Sequence, residues 1–409
     1  MKKQLHTFIM GGFTLFAIYL YYLSATPLTP RKLTIKETPT IDVEKEEKLA
    51  LNYLNELRQG AGLIPFESNS QLNQAAKNHA NYLSNHLTFG HREKVEHKDF
   101  TGEFASSRVT YVGYATPQVI ENVSTHNLSH KASLNGLFAA IYHRLAFLDF
   151  RADAIGIGIS QNPHKQTQTA FVYDMSSNAL ESLYKKTKNI TSKNLNEALD
   201  SNKKLNKSMI IYPFDQQTQV PPAFFDELPD PLPEYRVSGF PISIFFNSFY
   251  HKEAKLLKFE LYDENNIQVK NTLIFDHKTD PNKRLEKLDF VLFPLERLKW
   301  GTQYHVKFSA IIDKKKMTKE WYFRTQRFTT PLHTVTDTSE VYNMKVSSTH
   351  IFYFPPSSKV DLLHNIAYPS NIDIDFVDKN TIKLTALSAR SKRQIIHIGR
   401  HQLTLNIQK

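Results

Sequence analysis

Ile120-Glu-Asn-Val-Ser124, Ile141-Tyr-His-Arg-Leu145, Asp149-Phe-Arg151 and Ile155-Gly-Ile-Gly-Ile-Ser160 follow one another and set the frame of the N-terminal domain. In the last of them, apolar residues alternate with glycines that have no side chain. That is the pattern of a strand approached closely on one face by another element. Residues 169–174 repeat the strand pattern, and the polar run 161–168 between the two reads as a hairpin loop.

Working outward, residues 44–59 carry Leu49, Tyr53, Leu54 and Leu57 at helical spacing, with Glu44, Glu46 and Glu47 in the first turn and Gly60 and Gly62 as stops. A second helix is expected over 70–86, capped by Asn69 or Ser70. Its face holds Leu72, Ala75, Ala76, His79, Leu83 and His86. His79 and His86, two turns apart, read as packed or surface histidines. Residues 132–142 predict a third helix, with Leu134, Leu137, Phe138 and Ile141 on one face. Helices on both sides of a small sheet make this an α+β unit of ordinary domain size.

In order, the pieces are Arg58-x-Gly-x-Gly62, Ala75-Ala-x-x-His-Ala80, Phe89-Gly-His91, Thr101-Gly102, Arg108 with Gly113-Tyr114, Glu121-Asn122, His143-Arg144 and Ile155-Gly-Ile-Gly158. Over residues 44–178 this set resembles the bacterial branch of the CAP superfamily (cysteine-rich secretory, antigen 5 and pathogenesis-related proteins, also called SCP domains). The resemblance implies an α-β-α sandwich with a cleft lined by two His and two Glu. The first His falls on His91, the first Glu on Glu121 and the second His on His143. The second Glu has no counterpart: no acid stands between Asn135 and Arg144, and Ile120 replaces the usual glycine before Glu-Asn.

Glu93 and Glu103 stand near as substitutes for the missing acid, although both read as loop surface charges. Arg108 is expected to pair with one of them or to anchor the loop before Gly113. His91, Glu121 and His143 form a donor set for a divalent metal such as zinc, with a fourth position for water. The other reading is a hydrogen-bonded His–Glu–His cluster that orders loops. No Gly-x-Ser-x-Gly elbow, phosphate-cradling glycine loop or paired acids for glycoside cleavage stand out.

With no cysteine, thiol nucleophiles, disulfides and Cys-type zinc sites are excluded. The net charge of +11 is spread along the chain and reads as a solvated basic surface. Residues 1–25 combine Lys2 and Lys3 with an apolar run over 8–23, the pattern of an export signal peptide or an uncleaved signal-anchor helix. Residues 26–43, with three prolines, read as a tether, and the Lys-rich 179–208 as a linker. From residue 209 the texture changes to alternating segments separated by turns. Residues 209–333 read as a β-sandwich, in which Trp300 and Trp321 serve packing, and 334–409 as a small β domain. Leu298-x-x-Gly-Thr-x-Tyr-x-Val306 followed by Trp321-Tyr-Phe-Arg-Thr325 is similar to bacterial Ig-like envelope modules, which implies an Ig-like sandwich over 209–333.

These readings describe an exported cell-envelope protein, inner-membrane-anchored with extracytoplasmic domains, or periplasmic or secreted if the signal is cleaved. Its partners would be the envelope or membrane surface and a small ligand, lipid, ion or cell-wall component. Nucleic acid is not expected, for want of a basic, aromatic-bearing face. The alternative is a metal-dependent hydrolase acting through His91, Glu121 and His143.

Overall fold

The structure, a computed structural model, describes residues 38–409 apart from 338, 365 and 390–392. Helix α1 (Val43–Ala61) starts where the Asp42 carboxylate accepts from the Lys45 amide. It ends at Gly62, whose φ of 103° lets its N–H reach the Arg58 carbonyl. Gly60 lies inside the helix, and an added Cβ there would sit 2.5 Å from the Phe214 ring. The short strand β1 (Glu67–Ser68) leads into α2 (Ser70–Asn85), capped by the Asn69 side chain. Then follow α3 (Ala105–Tyr111), β2 (Ile120–Thr125), α4 (His130–Ala139), α5 (Ile141–Phe147), β3 (Ala154–Gln161) and β4 (Thr169–Ser176).

The sheet runs β1-β3-β4-β2, antiparallel except for β1 against β3, and leaves β2 at its edge. Side chains alternate across β4. Phe171, Tyr173 and Met175 join the core shared with α1, α4 and α5, whereas Ala170 and Val172 pack on Ala76, Ala80 and Leu83 of α2. Helix α2 can lie on β3 because Gly156 and Gly158 present no Cβ. One built there would stand 2.0 Å from Leu72 and 2.2 Å from Ala76 backbone atoms. The α+β, three-layer expectation therefore holds.

The single helix expected over 132–142 is two helices. Ala140 is extended (ψ 112°) and breaks the run. The break is stabilised from outside: Arg144 Nε donates to the Phe138 carbonyl at 2.7 Å, and Glu227 accepts from the Tyr142 amide at 3.1 Å. The Lys-rich stretch carries α6 (Asn178–Lys186) and α7 (Ser192–Leu205). Asn202 and Asn206 tie α7 and its C-terminal end down by donating to the Arg151 and Phe150 carbonyls.

The all-β region opens with β5 (Met209–Tyr212), β6 (Gln217–Val220), β7 (Ala223–Phe224), β8 (Ser238–Gly239), β9 (Ile242–Phe246), β10 (Ala254–Tyr262), β11 (Thr272–Phe275), β12 (Asp289–Pro294), β13 (Gln303–Ile312) and β14 (Lys315–Thr325). Two four-stranded sheets, β10-β13-β14-β6 and β11-β12-β9-β5, enclose Phe259, Phe293, Phe308 and the fully buried Trp321. Trp300 packs edge-on against Phe328.

The chain ends in β15 (Leu332–Thr334), β16 (Val341–Lys345), β17 (Thr349–Tyr353), β18 (Ile366–Ala367), β19 (Ile372–Asp378), β20 (Thr381–Ala386), β21 (Gln394–Ile398) and β22 (His401–Gln408). These form two further sheets, β15-β17-β20-β19 and β16-β22-β21-β18, around a core of their own.

The first β region and the α/β layers instead share one continuous core. Tyr212 stacks on Phe138 at 4.9 Å. Arg144, fully buried, crosses the seam to donate to the Pro241 carbonyl at 2.8 Å and the Ser243 hydroxyl at 3.1 Å. Its guanidinium also lies over Tyr212 and Phe240. Burial pulls its pKa down to about 9. Among the described residues no helix is long and apolar enough to cross a membrane, and the apolar run 8–23 lies outside the described residues.

Candidate functional site

Edge strand β2 has one long side without a strand neighbour, and a cleft of about 690 Å³ opens there. His91, Glu121 and His143 all line it, together with Leu228 and Phe246 of the β region. Alternation along β2 separates the chemistry of its two faces. Glu121 turns toward the α2 side, whereas Asn122 turns toward α5 and donates to the His143 carbonyl at 2.9 Å.

Glu121 is the hub of the first face. His91 Nδ1 lies 2.9 Å from Oε1, and Arg108 Nη2 donates to Oε2 at 2.5 Å. Arg108 is fully buried and also donates to the carbonyls of His91, Gly102 and Glu103. It thereby holds the loop that presents His91, and it pairs with two acids: with Glu121 through Nη2 and, as expected of one of the loop acids, with Glu93, whose Oε1 lies 3.9 Å from Nε. Glu103 is exposed and pairs with Arg92 at 2.8 Å, as a surface charge does.

Glu93 corrects the surface reading: it is 2% exposed. It accepts from His79 Nδ1 at 2.9 Å and from the Thr101 amide at 2.7 Å. Burial would raise the Glu93 carboxyl, but these bonds and the nearby Arg108 charge outweigh it and hold the group below the ordinary range. His79, also fully buried, sets its other nitrogen 3.1 Å from the Gly90 carbonyl.

Glu121 likewise sits low. Burial opposes this, yet the His91 hydrogen bond and the charges of His79 and Arg108 prevail. Directly across the ladder from Glu121 stands Asp174, buried, its oxygens receiving no hydrogen bond. Burial first, and the Glu121 charge second, push Asp174 well above the usual aspartate range. Two carboxyl groups so placed cannot both ionise cheaply, so Asp174 keeps its proton while Glu121 carries the charge.

His143 sits on the other face with a different partner. Its Nδ1 lies 3.0 Å from Oε2 of Glu227, whose side chain, contributed by the loop between β7 and β8, is 1% exposed. Burial raises the Glu227 carboxyl even though His143 and the Tyr142 amide work against it. Tyr142 reaches across the same seam and donates to the Asp280 carboxylate.

The structure thus brings His91 and Glu121 into direct contact and places His143 on the same cleft wall but in a second pair. A three-ligand metal centre needs all three groups on one ion. Here the one carboxylate of the set has both oxygens taken, by His91 and Arg108, His143 pairs with a different acid, and among the described residues no group of three His, Cys, Asp or Glu is placed to hold an ion. As arranged, the three residues do not fit a zinc centre.

A sandwich with Glu121-Asn122 on its edge strand and His91 and His143 on one cleft wall is the arrangement the ordered motifs implied, and the family model of the cysteine-rich secretory protein (CAP) family matches residues 51–175. Residues 51–175 are a CAP domain. Among solved structures, the chain is similar to an outer surface protein from Borrelia burgdorferi, at 19% identity, 34% of this chain, 97% of that chain and a TM-score of 0.29. It is also similar to an extracellular protein containing an SCP domain from Bacillus anthracis str. Ames, at 14% identity, 34% of this chain, 44% of that chain and a TM-score of 0.28. No curated protein matches the sequence significantly.

His79 is packed, one of the two readings its helix face allowed, but its partner Glu93 was not foreseen. Two further groups around the CAP cleft escaped sequence reasoning. Asp174 had a usable signal, a lone acid in a strand otherwise apolar or hydroxyl-bearing. Glu227 had none: it lies 84 residues from His143, and nothing local marks it.

Proposed function

We propose that this is an exported cell-envelope protein whose CAP domain and first β region together bind a ligand of the envelope in the cleft along β2. One observation carries the reading. The cleft, about 690 Å³, is walled by both modules and has His91, Glu121 and His143 on its wall, each anchored by a buried partner. A pocket of that size with a few fixed polar groups among apolar ones suits recognition of a small molecule or a short polymer segment. Export is supported by the basic-then-apolar start of the chain. A membrane anchor formed by residues 8–23 belongs to the same proposal. The β modules serve as one wall of the cleft and as spacers.

The test is co-sedimentation of the full chain with purified cell-wall sacculi and, in parallel, with phospholipid vesicles. We expect the sacculi to carry the protein down, and His91→Ala with His143→Ala to abolish this without lowering the melting temperature by more than a few degrees, whereas vesicles should capture both proteins alike through the 8–23 anchor. No capture by sacculi, or equal capture of wild type and double variant by them, would overturn the reading.

A further inference from the structure

We infer that Glu227 of the β region is a functional part of the CAP cleft: it fixes the His143 ring so that Nε2 faces the ligand as a hydrogen-bond acceptor. This rests on the reading that the cleft binds a ligand. The helix that would carry a second acid has none between Asn135 and Arg144. The structure supplies one from the neighbouring module instead, 3.0 Å from His143 Nδ1.

Three observations make Glu227 more than a chance neighbour. First, its side chain is 1% exposed, and a carboxyl is buried at such cost only where donors meet it. Second, it meets two: Oε2 accepts from both the Tyr142 amide and the His143 ring. The residue before helix α5 is Ala140, whose methyl cannot accept a hydrogen bond, so Glu227 is the cap as well. Third, no hydrogen bond among the described residues engages His143 Nε2, while the ring lines the cleft.

A carboxylate on Nδ1 selects the tautomer with hydrogen on Nδ1 and leaves the lone pair on Nε2. His91 is oriented in the same sense, its Nδ1 on Glu121 and its ring half exposed. The cleft then offers two imidazole acceptors, each backed by a buried acid. The ligand class that matches is one rich in O–H or N–H donors, a glycan or an amine, rather than a phosphate or carboxylate. The site is a two-module site, and the CAP segment alone lacks one of its orienting groups.

The test uses full-length protein with ¹⁵N-labelled histidine, the His143 signal being the one missing from His143→Gln. In wild type, neutral His143 should show the Nδ1–H tautomer. Glu227→Ala should return it to the Nε2–H form favoured by free imidazole, with His91 unchanged as a control for folding. Glu227→Gln, which keeps an acceptor oxygen, should retain the wild-type tautomer. Binding to the sacculi should fall about fivefold or more in Glu227→Ala, the worth of one hydrogen bond, and recover in Glu227→Gln.

An Nε2–H tautomer in wild type, or one indifferent to Glu227→Ala, overturns the positioning role whatever the protein binds. A changed tautomer with unchanged binding overturns the use of Nε2 by the ligand. A Glu227-dependent tautomer in a protein that does not sediment with sacculi leaves the positioning role standing and removes the binding function.

Discussion

Two imidazole–carboxylate pairs of nearly equal length face the same cleft, His91–Glu121 at 2.9 Å and His143–Glu227 at 3.0 Å. They are built differently. Glu121 has a buried guanidinium against its second oxygen and a protonated acid behind it, and it stays low. Glu227 has no such cation in contact among the described residues, only backbone amides and the ring itself, and burial raises it. A short His–Glu distance therefore does not define a charge state. The third group decides, and here it separates a carboxylate held low inside one domain from one that burial raises at a seam between two.

Removing the third group is the strongest way to break the contrast. Arg108→Met strands Glu121 in the interior beside Asp174. We expect urea unfolding to show a loss of about 3–5 kcal/mol, the usual cost of leaving half of a buried ion pair. A loss below about 1 kcal/mol would mean that Arg108 does not hold the charge.

The next effect is a pH dependence on the seam side. Asp289 lines the cleft, and burial, with Glu286 and Asp149 nearby, pushes it up to about 7. A carboxyl raised on folding favours the native state while protonated. Its contribution is complete below about pH 4 and is lost as the pH rises to about 7. Asp289→Asn should remove that loss, on the order of a few kcal/mol between those limits. Thermal melts of both proteins across the range would reveal it, and parallel curves would refute it. Glu93 and Glu121 have the opposite sign: both are lowered, so their support is present at neutral pH and fades on acidification.

Glu93→Gln should cost about 1.5–3 kcal/mol, because His79 and the Thr101 amide lose a charged acceptor. The damage should stay on the His91 side, visible as faster hydrogen exchange in the 90–103 loop with no change in α5. Tyr142→Phe should be the mildest, about 0.5–1.5 kcal/mol, and should loosen only the seam, where the hydroxyl meets Asp280. Equal exchange changes on both sides in either variant would erase the distinction between the pairs.

How much of this was written in the sequence depends on distance along the chain. The caps at Asn69 and Gly62, the apolar face of α2 and the glycines of β3 are local signals, and the structure follows them. Ordered motifs placed His91, Glu121 and His143 on one cleft. The break at Ala140 was not legible, because the groups that stabilise it include Glu227, from a distant loop. Glu93 was misread for a related reason. Its loop position suggested solvent, but Thr101, Gly102 and His79 close over it, and none of them advertises that in its own neighbourhood. Long-range polar partners leave no periodicity behind, whereas faces and caps do.

The apolar core that runs unbroken from Leu54 and Phe138 through Tyr212 to Phe293 has a consequence for what can fold alone. The CAP segment stops at residue 175, but the interior it folds around does not. Expressed by itself, that segment would expose to water the faces of Phe138 and Arg144 that Tyr212, Phe240 and Pro241 now cover, and it should aggregate more readily than the longer chain. In calorimetry the same continuity should make the CAP domain and the first β region melt as one transition, with residues 334–409, around their separate core, free to melt as another. The segment that carries the family's motifs is shorter than the unit that folds.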